Sequence, residues 1–478
     1  MRNVQFLPFT LAVGAAVLAV QTLPLLSAGP QQPPPPPTGQ QQSVLSVTLG
    51  GDHGGPPRLA VPEFIPLTKD AETVKAAKTI GQVLFDDLAY EKEFYMIPRD
   101  TLSTVPLPES VDAVQFERWK EIGADGVIVG TVRKTGDGVI VEARLFKVVQ
   151  QKTESGQRTT GDLALGKQYS GSLKSLADGG RTYAHTFSDE VHDNQFRMRG
   201  IARTKLAFSS NRSGEKSAGY IPGRDAANIY FSDYDGANER RVTVYPTLDL
   251  SPVWSPDGRA IAYTSYRNNY PDIFVSFIYE GRLERPAKGT SETKNYLPAW
   301  SHDGSRIAYT SALPDGNVEI FVMNRDGSGR RRITNHPMAD ATPTWAPTGN
   351  QLAFISDRSG APQIYTIHVD GTNMQRISRE SWCDRPTWSP APYNEIAYTC
   401  RGGGGYQIML YDFATNSSKP ISDGMGSNES PAFAPNGRHL AFVSDRTGRQ
   451  QIYTMHRDGT GLRQITRTGT NKYPNWSH

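Results

Sequence analysis

From residue 252 to the C-terminus, short apolar runs alternate with polar turn residues, and the alternation repeats. In one stretch the runs are Pro431–Ala434, His439–Val443, Gln451–His456 and Leu462–Thr466. Between them lie Pro435-Asn436-Gly437, Asp445-Arg446-Thr447-Gly448 and Arg457-Asp458-Gly459. Phe442, Ile452 and Tyr453 suit a pleated, half-buried surface. Asn-Gly and Asp-Gly supply the positive φ of tight hairpin turns. Each unit therefore predicts four antiparallel strands. Six Pro-x-Trp or Pro-x-Phe triplets mark the start of the units: Pro252, Pro298, Pro343, Pro386, Pro431 and Pro474 open them, 46, 45, 43, 45 and 43 residues apart. A period of about 40–50 residues indicates a radial array whose units are the blades of a propeller.

The last triplet, Pro474-Asn475-Trp476, stops two residues short of the chain end and lacks the rest of its unit. The missing part stands before the first triplet. Residues 203–212 match a second strand and its turn, Asn228–Asp233 a third strand, Asp235-Gly236 its turn, and Arg241–Val244 a fourth strand. Joining 474–478 to 203–244 predicts a sixth blade, sealed by the C-terminal strand.

Ahead of the repeats the periodicity changes. Val74, Ala77, Ile80, Leu84 and Leu88 make a helical stripe within Asp70–Tyr90. Helices are also predicted over Val111–Ile122, which carries Trp119, and over Leu173–Arg197. Arg58–Pro66 and Phe94–Pro98 read as strands, and Asp125–Arg133 with Val139–Val149 as a hairpin around Gly136-Asp137-Gly138. Helices and strands mixed over 58–200 predict a separate α/β domain, followed by an all-β six-bladed propeller over 201–478. Residues 1–29 carry an apolar run behind Arg2 and read as an export signal. Pro33–Pro37 and Gln40–Gln42 make 30–42 an extended spacer that builds no core. Within 43–57, Val44, Leu45, Val47 and Leu49 alternate like a short strand isolated by glycines.

A formal charge of +3 over 478 residues gives no basic field for nucleic acid. There is no Gly-x-Ser-x-Gly nucleophile elbow. Trp254-Ser255-Pro256-Asp257-Gly258 is a plain hairpin turn rather than the Ser-x-Asp-x-Gly of sialidases. His185, Asp189 and His192 share one helix face and could ligate a metal; the simpler reading is that they satisfy each other and the helix end. Asp357-Arg358 and Asp445-Arg446 recur at one point of the blade and are expected to fix turns and bridge blades. Arg330-Arg331-Arg332 is expected to be solvated surface. The only two cysteines flank a predicted hairpin whose paired positions sum to 783 or 784. Cys383 plus Cys400 gives 783, which places them across the hairpin mouth and predicts a disulfide in an exported protein.

With VPEFIP (61–66), IGADGVIVGTV (122–132) and HTFSDEV (185–191) set before a propeller that ends the chain, the sequence resembles the TolB family. That family is the periplasmic component of the Tol-Pal system of Gram-negative bacteria. The resemblance implies a monomeric, non-enzymatic adaptor without cofactor, meeting membranes only through its partners. It would link a TolA-like inner-membrane protein to a Pal-like peptidoglycan-associated lipoprotein, serving outer-membrane integrity and constriction at division. The rival class is a secreted hydrolase or glycan-processing propeller. By the resemblance, residues 43–53 with Val44, Leu45, Val47 and Leu49 bind TolA, and the lipoprotein docks over one propeller mouth. Loops entering each Pro-x-Trp would converge there, holding Asp249, Leu250, Asn295, Tyr296, Leu297, Asp340, Ala341, Thr342, Asp384, Arg385, Glu429, Lys472 and Tyr473. Tyr296 and Tyr473 are the expected anchors.

Overall fold

The computed structural model describes residues 39–41, 48–50, 54–154, 156–218 and 222–478. The expected export signal, most of the spacer, and Val44, Leu45 and Val47 lie outside them. Three strands called β2 (Arg58–Ala60), β3 (Ile65–Pro66) and β4 (Tyr95–Met96) join the long β5 (Gly126–Thr135), β6 (Gly138–Thr153) and β7 (Gly156–Ser172) in one mixed sheet. The sheet is edged by β1 (Gly39–Gln41), which pairs antiparallel with β7. Its order is β1-β7-β6-β5-β2-β4, with β3 also on β5.

One sheet face is covered by helices α1 (Ala71–Glu91) and α4 (Arg181–Phe196), which bury Ile80, Leu84, Leu88, Tyr183, Phe187 and Val191. Asp70 caps α1 by accepting from the Thr73 amide at 3.1 Å. The other face packs under Leu102, Val105, Val111 and Trp119, with two short helices, α2 (Arg99–Leu102) and α3 (Phe116–Glu121), between α1 and β5 in the chain.

Several sequence expectations need correcting. Arg58–Pro66 is two short strands rather than one. Helix α3 covers only the second half of Val111–Ile122, and Leu173–Arg197 is broken by Gly179 and Gly180, both at positive φ, before α4 begins. Val74 is exposed, outside the buried stripe. β7 had no counterpart in the sequence reading. Its polar-rich run GQRTTGDLALGKQYSGS carries only a few buried apolar positions, because its N-terminal half is a largely exposed extension of the hairpin. Gly39–Gln41 forms a strand inside the stretch expected to be a passive spacer. Residues 48–50 form no strand; instead Leu49 is buried in the domain core and its amide donates to Gln195 Oε1 at 2.8 Å.

Six four-stranded antiparallel sheets follow. Blade 1 contains Lys205–Ser210, Asn228–Asp233 and Arg240–Arg241, and takes its innermost strand, Asn471–Trp476, from the chain end. The innermost strands of blades 2 to 6 are Asp249–Trp254, Lys294–Trp300, Asp340–Trp345, Cys383–Trp388 and Asn428–Phe433. Second strands such as His439–Ser444 are buried on both faces, since each blade packs against two neighbours. The core between blades 6 and 1 joins Leu206, Phe208 and Trp476 to Ala441, Val443 and Ile452. In the turn before the outer strand, the Asp-Gly glycines sit against the adjacent blade. A Cβ on Gly459, at φ +86°, would lie 2.1 Å from the Ile421 carbonyl oxygen. Blade-to-blade contact as well as turn geometry therefore demands glycine there.

Cys383 pairs with Cys400 across the blade 5 hairpin, Trp388 pairs with Ile396, and the two sulfurs are bonded with Cα atoms 4.2 Å apart. Closing a loop of 17-residue separation contributes roughly 3 kcal/mol by chain entropy. Thiol counting on the denatured, unreduced protein is expected to find none, and reduction to lower the blade's stability by about that amount. Two reactive thiols before reduction would disprove the bond.

Candidate functional site

At one end of the central channel, every innermost strand has the same local defect. In blade 2 the register slips between Leu250 and Val253, leaving one extra residue. The same slip occurs in the other five blades. The residue before each proline absorbs it in the left-handed region: Ser251, Leu297, Thr342, Arg385, Ser430 and Tyr473 all have φ between +50° and +57°. Non-glycine residues are held there only by surrounding structure. Part of the restraint is visible. The amides of Leu297, Thr342 and Ser430 donate to Thr264, Thr310 and Thr399 Oγ1 of the preceding blade at 2.9 to 3.1 Å. The result is a rigid ring of six residues around the mouth, and these residues line the channel.

Arg385 dominates the centre. Its guanidinium lies 4.4 Å from the Tyr473 ring centroid, and Nη1 donates to Ser251 Oγ on blade 2 at 3.4 Å. The side chain thus links the inner strands of blades 5, 1 and 2 at the mouth. Beyond it the channel is lined by Trp254, Trp300, Trp345, Trp388 and Trp476, with His302 and His478.

The residues read from the sequence as loop positions are on strands instead. Asp249, Leu250, Asn295, Tyr296, Leu297, Asp340, Ala341, Thr342, Asp384, Arg385, Glu429, Lys472 and Tyr473 all belong to the innermost strands. The bulge before proline keeps the pairing going, which a proline-based boundary misses. Asp249, Asn295 and Asp340 are fully buried structural groups. Asp340 takes a bidentate contact from Arg358 at 2.8 and 3.0 Å. Burial pushes the Asp249 carboxyl up to about 6, against the Ser265 and Thr243 hydroxyls. Leu250, Tyr296, Leu297, Asp384, Arg385, Glu429, Lys472 and Tyr473 are half-buried at the mouth.

The sequence reading missed the rim. The true loops between blades carry Val244, Tyr245, Met338, Trp382 and Met425, all large, apolar and exposed. Met425 is 62% exposed and Trp382 40%, its ring edge-on to Tyr406. Tyr245, Met338, Trp382 and Met425 stand four to seven residues before a Pro-x-Trp or Pro-x-Phe, beyond the last β-run of their unit, whereas Val244 ends the run expected as a fourth strand, which the structure shortens to Arg240–Arg241.

Other candidates resolve differently. His185, Asp189 and His192 do not satisfy one another. His185 Nδ1 bonds Asp87 at 2.8 Å, Asp189 accepts from the Ala202 amide at 2.9 Å and from Arg203, and His192 Nδ1 meets the Ser188 carbonyl at 3.0 Å. Arg358 ties the turn after the second strand to the inner strand of its own blade through Asp340; Arg446 does so through Asn428 and also pairs with Asp423, in the loop arriving from blade 5. Arg330-Arg331-Arg332 is not simply solvated. Arg330 lies 5.2 Å from the Phe321 ring centroid and bonds Asn295, Arg331 donates to the Val369 carbonyl of the next blade, and Arg332 pairs with Glu319.

The N-terminal domain docks on the opposite face of the ring, over blades 6 and 1. Tyr90 stacks on His439 at 5.1 Å and donates to Thr454 Oγ1 at 2.7 Å. Arg438 bonds both Glu91, at 2.5 Å, and Glu93. The mouth ringed by Arg385 and the apolar rim is therefore the face left clear of the chain's own domain.

Family comparisons agree with this architecture. The sequence model described as the TolB amino-terminal domain matches residues 45–153, and that of the TolB beta propeller domain matches 196–478, more than half of the chain. The chain belongs to the TolB family. Among TolB relatives, the Tol-Pal system protein TolB of Desulfosudis oleivorans is 31% identical over 280 residues, 58% of this chain and 57% of that protein. The match thus spans little more than half of that relative. The protein of the same name from Bordetella pertussis is 28% identical over 405 residues, 84% of each chain. The crystal structure of TolB from Acinetobacter baumannii superposes with a TM-score of 0.69 at 21% identity, covering 92% of this chain and 99% of that one, so the fold is shared.

Proposed function

We propose that this TolB-family chain is a non-enzymatic component of the Tol-Pal system that acts in the periplasm as a two-partner adaptor. One partner is a Pal-like lipoprotein at the propeller mouth; the other is a TolA-like protein engaging residues 43–53. Its work would be outer-membrane integrity and constriction during division. The observation that carries the reading is the mouth that the described residues leave uncovered: a ring with Arg385 at its centre and Trp382, Tyr245 and Met425 on its rim. Arginine and large aromatics dominate interface energetics when a partner excludes water from them. Six strained positions fixed by the scaffold keep the surface preorganised, which lowers the ordering cost of docking.

The test is calorimetric titration of the full chain with the acyl-free lipoprotein domain and with the TolA-like domain. Trp382→Ala and Tyr473→Ala are each expected to weaken lipoprotein binding by roughly 30-fold, the effect of losing a hot-spot side chain. Removing residues 43–53 is expected to abolish TolA binding and leave lipoprotein binding intact. Unchanged lipoprotein affinity in both variants would remove the mouth assignment, and TolA binding by the truncated chain would remove the segment.

A further inference from the structure

Where α4 meets blade 1, a buried imidazole nitrogen faces two carboxylates. His185 is only 4% exposed, and its Nδ1 bonds Asp87 Oδ2 at 2.8 Å. Asp87 is itself fixed by the Tyr234 hydroxyl, which donates to Oδ1 at 2.7 Å. With Nδ1 carrying the proton toward Asp87, Nε2 presents its lone pair. Nε2 has no hydrogen-bond partner, and a ring nitrogen of His185 lies within 4.8 Å of one carboxylate oxygen each of Asp233 and Asp235; with Nδ1 taken by Asp87, Nε2 is the nitrogen left for them. A buried, unpartnered polar atom in a native interior calls for an explanation. A histidine oriented by a carboxylate, with its other nitrogen free, is the usual arrangement behind a metal ligand.

We propose that His185, Asp233 and Asp235 bind a zinc-class divalent cation that bridges the N-terminal domain and the propeller. One nitrogen and two carboxylate oxygens form a donor set suited to zinc, whereas magnesium and calcium favour oxygen alone. Both carboxylates already have partners. Asp233 accepts from Lys205 at 2.6 Å and Asn238 at 2.7 Å, and Asp235 from Arg181 and the Ala237 amide at 3.1 Å. Each carboxylate oxygen keeps a further lone pair, so the ion adds to these contacts without breaking them. The nearby Lys205 and Arg181 charges hold the affinity to a moderate value. The cluster borders an interdomain cleft of about 1020 Å3, lined by both His185 and Asp233, from which water completes the tetrahedron. The parallel cluster of Glu91, Glu93 and His192 differs, because Arg438 spans both of its carboxylates.

Zinc chloride titrated into the metal-free, tag-free chain at neutral pH is expected to bind at one equivalent, while magnesium does not. A hundredfold excess over Kd should raise the thermal midpoint by on the order of 5 °C. His185→Gln is expected to weaken zinc at least tenfold, and so is Asp235→Asn, an isosteric change that keeps the side chain's shape in the turn beside Arg181 while removing its charge. His192→Gln should bind zinc as the native chain does. An unaltered zinc isotherm in Asp235→Asn, or no binding by the native chain at millimolar zinc, would overturn the site.

Discussion

Removing residues 474–478 is expected to destroy the cooperative unfolding of the propeller. The five residues include the second half of the strand that closes blade 1, where Trp476 pairs with Leu206 and is buried among Ile201, Leu206 and Ala434. Its Nε1 donates to Thr204 Oγ1 at 2.6 Å. Ser477 exchanges two bonds with Lys205, both at 2.8 Å, and Asn475 Oδ1 accepts the Trp254 amide of blade 2 at 2.7 Å. Losing the tryptophan alone costs about 3–5 kcal/mol. That is a large share of the roughly 5–15 kcal/mol that holds a domain folded. The calorimetric midpoint should fall by about 10 °C or more and the transition broaden. A truncated chain that melts like the native one would show that the ring does not depend on this strand.

Arg438→Ala is expected to loosen the two domains, and more at pH 8 than at pH 5. Arg438 is the cation between buried Glu91 and half-buried Glu93. Leaving buried carboxylates unpaired costs about 3–5 kcal/mol. Burial raises the Glu91 carboxyl to about 7, although His192 and Arg438 oppose the rise. A carboxyl raised in the fold stabilises fully below its unfolded value of 4.5, and that contribution is lost as pH climbs through 7. His192 acts in the same direction. Burial lowers it, but the Glu93 contact and the charges of Glu91 and Glu93 outweigh this and raise it, so its contribution fades as pH rises past its folded value. Glu93 acts oppositely: its carboxyl is lowered because His192 and Arg438 outweigh burial, and it loses stabilisation only as pH falls below 4.5. His439 and His456 are both held low, chiefly by burial. Removing Arg438 takes away the charge that resists the Glu91 rise, so the penalty is largest where the carboxylates must ionise. Urea titrations of the variant at both pH values measure the difference. Equal losses at pH 5 and pH 8 would contradict the assignment.

Much of the ring was legible because blade chemistry is local. Asn-Gly and Asp-Gly turns, alternating aromatics and the Pro-x-Trp period each report on a few neighbouring residues. The split blade could be read from the same local matches. The mouth was harder. A proline ordinarily ends a ladder, yet here Leu297, Thr342 and Ser430 take left-handed backbone and let the strand begin before it. That conformation is imposed by the neighbouring blade's threonines, a tertiary cause that no single repeat displays. The exposed rim was passed over for a related reason. Trp382 and Met425 stand shortly before a Pro-x-Trp or Pro-x-Phe but in no apolar alternation, so their exposure becomes plain only in the fold. Arg330 likewise reads as a charged turn until the packed ring beneath it is seen. β7 escaped detection because half of it projects from the core and needs no apolar alternation.

The central claim is that the mouth opposite the docked domain is the lipoprotein surface. Hydrogen exchange on the full chain, with and without the acyl-free Pal-like domain, tests it most directly. Added protection is expected in residues 244–251, 338–342, 382–385, 425–430 and 472–473, with none at Tyr90, Arg438 or Thr460 on the opposite face. Protection centred on that opposite face, or none at the mouth under saturating lipoprotein, would contradict it.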